Sequence, residues 1–145
     1  MDGIAGLSHW LDGFALQLEP NQKKELMRML AQGMRLRFKD RISKQQNPDG
    51  NSFVPRKRNQ IGNIKRQGAM FQRLKNRLKT EYTTDQAAVG FAGRDTYVAS
   101  VHHLGRTIRP SAQAKPTRYA IRELVGFGQD DEQWAMSIIM SYLER

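Results

Sequence analysis

Leu26, Leu30, Met34, Phe38 and Ile42 recur at every fourth position. On an α-helix such side chains fall on one stripe, which must be buried against something else. Met27 and Ala31 widen the stripe, while Lys24, Arg28, Arg35 and Lys39 occupy the opposite face. The pattern predicts a helix from about residue 21 to 44, with one wet side and one side against a core. Asn47-Pro48-Asp49-Gly50 stops it, because proline cannot continue a helix and Asp-Gly favours a turn.

The flanking segments supply the partners. Ile4, Leu7, Trp10, Leu11, Phe14 and Leu18 are spaced at three and four, which predicts a preceding helix ended by Pro20. Residues 51–65 lack any period and read as a long basic mobile loop. Met70, Phe71 and Leu74 suggest a short helix over about 65–76. Residues 78–83 and 87–92 read as two strands turning at Asp85-Gln86. Asp95 or Thr96 caps a further helix with Tyr97, Val98, Val101 and Leu104 on one side, closed by Gly105 in the left-handed conformation. Short strands are expected at 107–109 and within 117–127, joined by a small-residue loop. Asp130-x-x-Gln133 resembles a capping box, and Trp134, Ile138, Ile139 and Tyr142 form the inner face of a last helix. The fold class is therefore α+β: an N-terminal helix pair packed on a small antiparallel sheet, short middle helices and a C-terminal helix. At 145 residues the chain reads as a single domain.

Chemistry is hard to build from these residues. With no cysteine, disulfides and thiolate chemistry are excluded. His102 and His103 are adjacent, so on a helix their rings diverge by about 100° and do not chelate one metal. No H-x-x-x-H, no glycine-rich phosphate loop and no G-x-S-x-G elbow is present. Glu81 and Asp85 are a conceivable carboxylate pair, but they lie among threonines on or next to one strand and read as solvated. No catalytic, cofactor or metal residue is assigned, and an enzyme is not expected. No apolar run approaches the roughly 20 residues of a membrane span, and the start of the chain does not read as a signal peptide, so a cytosolic, soluble protein is expected.

Charge is the remaining signal. The net charge is +10, and residues 51–80 hold nine bases and no acid. Arg56, Lys57, Arg58, Lys65, Arg66, Arg73 and Lys75 are the candidate contacts to a partner. Three readings stay open for them: a solvated basic surface, a surface for an acidic protein, or a non-specific contact with DNA.

Six motif pieces in order carry a resemblance. Arg41-Ile42 and Gln45 lead to Pro48-Asp49-Gly50, Phe53 and Pro55. Then come Met70-Phe71-Gln72-Arg73-Leu74, Val89-Gly90-Phe91-Ala92-Gly93 and His102-His103-Leu104-Gly105. Last is Tyr119, Arg122, Leu124 and Gly126. In these pieces the chain resembles the phage virion morphogenesis family, in its tail completion protein S group. Phe53 stands where many relatives have Trp. The resemblance marks Pro48, Asp49, Gly50, Phe53, His103, Gly105, Arg122 and Gly126 as structural positions. It implies a non-catalytic assembly protein that acts late in tail morphogenesis and joins tails to DNA-filled heads. Analogy with other head-proximal tail proteins implies a homo-oligomeric ring, six-fold, in contact with the tail tube and with neck or connector proteins. The expected location is the head-proximal end of the virion tail, after assembly in the host cytoplasm. The alternative is a small basic DNA-binding or packaging accessory protein.

Overall fold

The computed structural model describes residues 18–56 and 68–144, and the expected first helix lies outside them. The long helix is present as α1, Pro20–Ser43. Proline stands at its first turn, where its missing N–H costs nothing. Gln22 Oε1 accepts the Glu19 backbone N–H at 2.9 Å, closing the start. The whole ladder, Leu26 to Ile42, is buried together with Met27 and Ala31.

The end of α1 is a Schellman motif. Gln46 N–H donates to Arg41 O at 3.0 Å and Gln45 N–H to Ile42 O at 2.9 Å. Gln45 takes the left-handed position usually filled by glycine, with φ 57°. Its side chain compensates. Its amide nitrogen donates to Met70 O at 2.9 Å. Its amide oxygen accepts the Met70 N–H at 2.9 Å. One amide thus satisfies both backbone groups of a residue distant in sequence. The chain then reverses through the expected turn, in which Gly50 N–H bonds Asn47 O at 2.9 Å. Gly50 has φ 89°, a conformation that favours glycine.

The expected helix over 65–76 is not formed in its described part. Phe71 has φ 67°, which interrupts any α-helix, and only a 3-10 turn follows at Leu74–Arg77. Strands β1, Lys79–Tyr82, and β2, Ala87–Gly90, pair antiparallel with Thr80 opposite Val89. A two-stranded ribbon is marginal alone. Here it lies against α1, with Tyr82 and Val89 packed on the core.

Helix α2, Arg94–Leu104, starts after Gly93 rather than at an Asp95 or Thr96 cap. Thr96 instead donates its hydroxyl to Phe91 O at 2.8 Å. The inner face of α2 agrees with expectation at Val98, packed on the core, and at buried Val101, but it takes in Ala99 and leaves Tyr97 and Leu104 exposed. Small Ala99 and polar His102 carry little hydrophobic signal, so the larger apolar residues mislead the period. Gly105 closes the helix at φ 64°, as its position predicts. Strands β3, Thr107–Ile108, and β4, Thr117–Arg118, form a second antiparallel ribbon, shorter than expected.

Helix α3, Gln129–Leu143, runs back along α1. Its cap differs from Asp130-x-x-Gln133: Asp131, at the third position, accepts the N–H of Gly128 at 2.9 Å. Ala135, Ile139 and Tyr142 are buried, and Trp134 and Ile138 are half-buried. Trp134 crosses α1 at Gly33, where a Cβ would meet the indole at 2.3 Å. The glycine lowers helix propensity by about 1 kcal/mol but admits the ring.

Gly128 is equally constrained. A Cβ there would lie 2.1 Å from the carbonyl oxygen of Pro48, against 3.1 Å from the Pro48 ring for Gly126. Gly128→Ala is expected to shift the urea unfolding midpoint further than Gly126→Ala, by about 1–3 kcal/mol of overpacking. Equal midpoints for the two variants would show that this contact is soft.

Candidate functional site

The motif pieces, scattered over the sequence, meet at two junctions, except Val89–Gly93, which ends β2 and leads into α2. The first joins the ends of α1 and α3. Asp131 is nearly all buried, with its side chain 3% exposed. Its Oδ1 accepts Arg37 Nε at 2.9 Å and its Oδ2 accepts Arg41 Nη1 at 2.6 Å. Arg41 also donates through Nη2 to Gly126 O at 2.7 Å. The guanidinium lies over the Phe38 ring at 4.8 Å, and Phe38 meets Phe127 edge-on at 5.8 Å. Arg41 Nε is buried with no hydrogen-bond partner among the described residues. The aromatic face below offsets part of that cost.

Burial pushes the Asp131 carboxyl up, but the Gly128 N–H, the Arg37 and Arg41 hydrogen bonds and the Arg41 charge outweigh it, leaving it below the usual range. Nearby, Asn47 Oδ1 accepts the N–H of Glu123 at 2.9 Å. Pro48 lies against Gly126 and Gly128, and Asp49 accepts the Asn51 N–H at 2.8 Å. Pro48 and Gly126 therefore pack as one corner, while Asp49 and Gly50 form its exposed turn.

The second junction is organised by Arg122, which is 5% exposed. Its Nε donates to Val54 O at 2.8 Å and its Nη2 to Pro55 O at 3.2 Å. Its Nη1 stands 3.3 Å from His102 Nδ1. A guanidinium only donates, so Nδ1 accepts and the neutral ring carries its proton on Nε2. The imidazole is held edge-on between Phe71, at 4.7 Å, and Tyr119, at 5.1 Å. Phe71 also meets the buried Phe53 ring at 5.7 Å. Burial first, then the charge of Arg122, lower the His102 pKa to about 4. Burial and the Arg56 charge lower that of Arg122, against a raising effect of Tyr119. His103, the histidine marked by the resemblance, faces solvent, and the interior contacts belong to His102. Adjacency alone gives no signal of which histidine turns inward. The signal that does is Arg122 twenty residues on, aligned by its N–H bond to His102 O at 2.9 Å. Gly105 lets Ile121 and Tyr119 approach, since a Cβ would fall 2.8 Å from Ile121 Cγ1.

A half-open groove of about 930 Å³ adjoins this junction. Its walls include Val54, Phe71, Val98 and Tyr119, with Arg56 and Arg118 also lining it.

The basic candidates are not brought together. Lys57, Arg58, Lys65 and Arg66 lie outside the described residues. Arg56 donates to Gly68 O. Lys75 donates to Ser43 Oγ at 3.0 Å. Arg73 is exposed. Arg77 pairs with Asp95 at 3.1 Å. Glu81 and Asp85 are exposed, one on β1 and one in the turn after it.

Two outcomes test these junctions. Asp131→Asn leaves two arginines facing a neutral amide and is expected to cost about 3 kcal/mol in chemical denaturation. A loss under about 0.5 kcal/mol would show that the pair contributes nothing net. His102 is neutral when folded and binds a proton when unfolded between pH 6.5 and about 4. Its contribution is therefore present above 6.5 and lost as pH falls through that window. Full burial would make this about 3 kcal/mol, and partial solvent access reduces it to about 1–2 kcal/mol. His102→Gln should flatten the stability profile across the window, and an unchanged slope would assign the acid loss to other groups.

Comparison with known proteins gives the chain its relatives. It matches the model of the phage virion morphogenesis family over residues 3–144. It is 32% identical over 142 residues to the "Tail completion protein S" of Escherichia phage P2, covering 93% of each chain. No solved structure matches. With a match across nearly its whole length, the chain belongs to the phage virion morphogenesis family.

Proposed function

We propose that this chain is a structural component of a phage tail that acts in tail completion, as a ring at the head-proximal end, and that it joins tails to filled heads. The observation that carries the reading is the 32% identity to a tail completion protein across 93% of both chains. The reading is of a single domain without catalysis. Its partners are further copies of itself, the tail tube and the neck or connector proteins.

The geometry supports an assembly role. The motif residues are spent on holding the fold: Arg41 and Asp131 fasten α3 to α1, and Arg122 fastens the 53–55 segment to the end of α2. Surface is left for neighbours, including the exposed apolar side chains Leu36, Tyr97, Leu104, Ile121 and Met140. A ring subunit needs two different faces, one for each neighbour, and scattered apolar surface on opposite elements suits that need. The described start of the loop expected at 51–65 is packed rather than mobile, with Phe53 buried and the Val54 and Pro55 carbonyls held by Arg122, and the rest of it is proposed to contact a neighbour or the tail tube.

The +10 charge favours a second reading as a DNA-binding accessory protein. Salt separates the two. Duplex DNA binding that falls by orders of magnitude between low and physiological salt favours the accessory reading. Rings seen by negative-stain imaging on purified tail tubes favour the structural one. Removal of residues 57–65, which spares Phe53 and the carbonyls held by Arg122, should leave a folded chain, judged by circular dichroism, and yield tails that fail to join heads. Normal plaque formation by that deletion would refute the proposed role of the loop.

A further inference from the structure

The groove beside the Arg122 junction has uncommon electrostatics for a cleft in a chain that also carries acids. Three arginines line it, Arg56, Arg118 and Arg122, and none of its described lining residues is Asp or Glu. Arg122 is committed to the carbonyls of Val54 and Pro55. Arg118 is exposed and Arg56 half-exposed, so their charge is available to an occupant. The wedge at the other junction differs, since Asp40, Asp49, Glu123 and Asp130 line it beside its bases.

The wall of the groove also presents backbone. Thr117, Arg118, Tyr119 and Ala120 run along it. The N–H of Tyr119 is spent on Arg106 O at 3.0 Å, on the β3 side. By the alternation of an antiparallel strand, the N–H of Arg118 faces the opposite edge. No strand covers that edge among the described residues. An open edge beside an apolar floor is the arrangement that accepts an added strand. The floor is Phe71, held at φ 67°, with Val98 and Tyr119 around it. Strained backbone of this kind persists where its surroundings hold it, and it clusters at binding sites.

We propose that this groove takes an extended acidic segment of a partner protein, added as a third strand along β4. Its carboxylates would meet Arg56 and Arg118, and an apolar side chain would rest on Phe71. Charge decides between occupants. A second copy of a chain with net charge +10 is repelled overall, whereas an acidic segment is attracted. Duplex DNA needs an open surface of bases, and aromatic and aliphatic walls give it little to contact. The inference concerns one copy of the chain, so it stands or falls independently of ring formation.

The test is fluorescence anisotropy with a fluorescein-labelled heptapeptide alternating Glu with Val or Phe, titrated with the full chain. Saturable binding is expected, weakened about tenfold or more by Arg118→Glu and by Arg56→Glu, which equals about 1.4 kcal/mol each. Arg28→Glu, on the outer face of α1, should leave it within about twofold. Circular dichroism of each variant separates lost binding from lost folding, and the two charge reversals at separate positions back one another. Equal weakening by Arg28→Glu and Arg118→Glu would overturn the proposal, as would equal binding of a peptide with its glutamates grouped at one end. Competition by duplex DNA that also depends on Arg118 would make nucleic acid the occupant and overturn it. So would sedimentation showing that Arg118→Glu turns an oligomer into a monomer, which makes a second copy the occupant.

Discussion

The carboxylate of Asp131 sits out of water between two guanidiniums of α1 and the N–H of Gly128, which caps α3. Taking the Asp131 and Arg41 charges from solvent is costly, and the geometry compensates because every Asp131 oxygen is used. The arrangement does more than attract. It fixes the axial position of α3 along α1, because Arg37 and Arg41 are one helical turn apart and grip the same residue. With that position set, Trp134 falls at Gly33 and Tyr142 reaches Glu25 Oε2 at 3.1 Å. The Gly126–Gly128 segment is drawn in with it, onto Pro48 and under Phe38. The helix pair, the proline turn and the approach to α3 are thus one mechanical unit.

Arg122 does for the other half of the chain what Asp131 does for this half. It bridges segments that share no secondary structure, the 53–55 strip and the end of α2, using the backbone carbonyls of one and the ring of the other. The small β3–β4 ribbon hangs from the same region through Tyr119. Neither two-stranded ribbon in the described structure is a sheet able to stand alone. Their order derives from side chains anchored on helices, which is how a domain with 39% apolar residues holds an irregular middle.

The reach of the sequence follows from how each element is encoded. Helix α1 is legible in full because five large apolar residues at constant spacing admit one conformation. The β1–β2 ribbon and the Gly105 cap are legible because β-rich stretches and a lone glycine are local signals. The 65–76 region is not, since Phe71 adopts a left-handed conformation for which its side chain has no preference and which its packing against Phe53 and His102 supports. The inward histidine is equally silent, because burial of one of two adjacent imidazoles is decided by an arginine elsewhere in the chain. Asp131 reads as an ordinary acid in a helix's first turn; only its long-range arginine partners distinguish it from Asp130. The motif pieces announce that they belong together without revealing that the link is made by hydrogen bonds to backbone.

Gln45 has a consequence for how this chain will respond to a mutational scan. The residue is only half-buried and lines neither of the two clefts described above, yet its backbone demands a left-handed conformation and its side chain completes both backbone bonds of Met70. Glycine meets the first demand and fails the second. Glutamate keeps the length but loses the amide donor. Asparagine, the other residue at ease there, is one methylene too short to span the same gap. A deep substitution profile will therefore show a narrow tolerance at a half-exposed polar position, the pattern usually taken to mark a binding residue. Here the narrowness has an architectural origin, and only a measurement that separates folded yield from activity will tell the two apart.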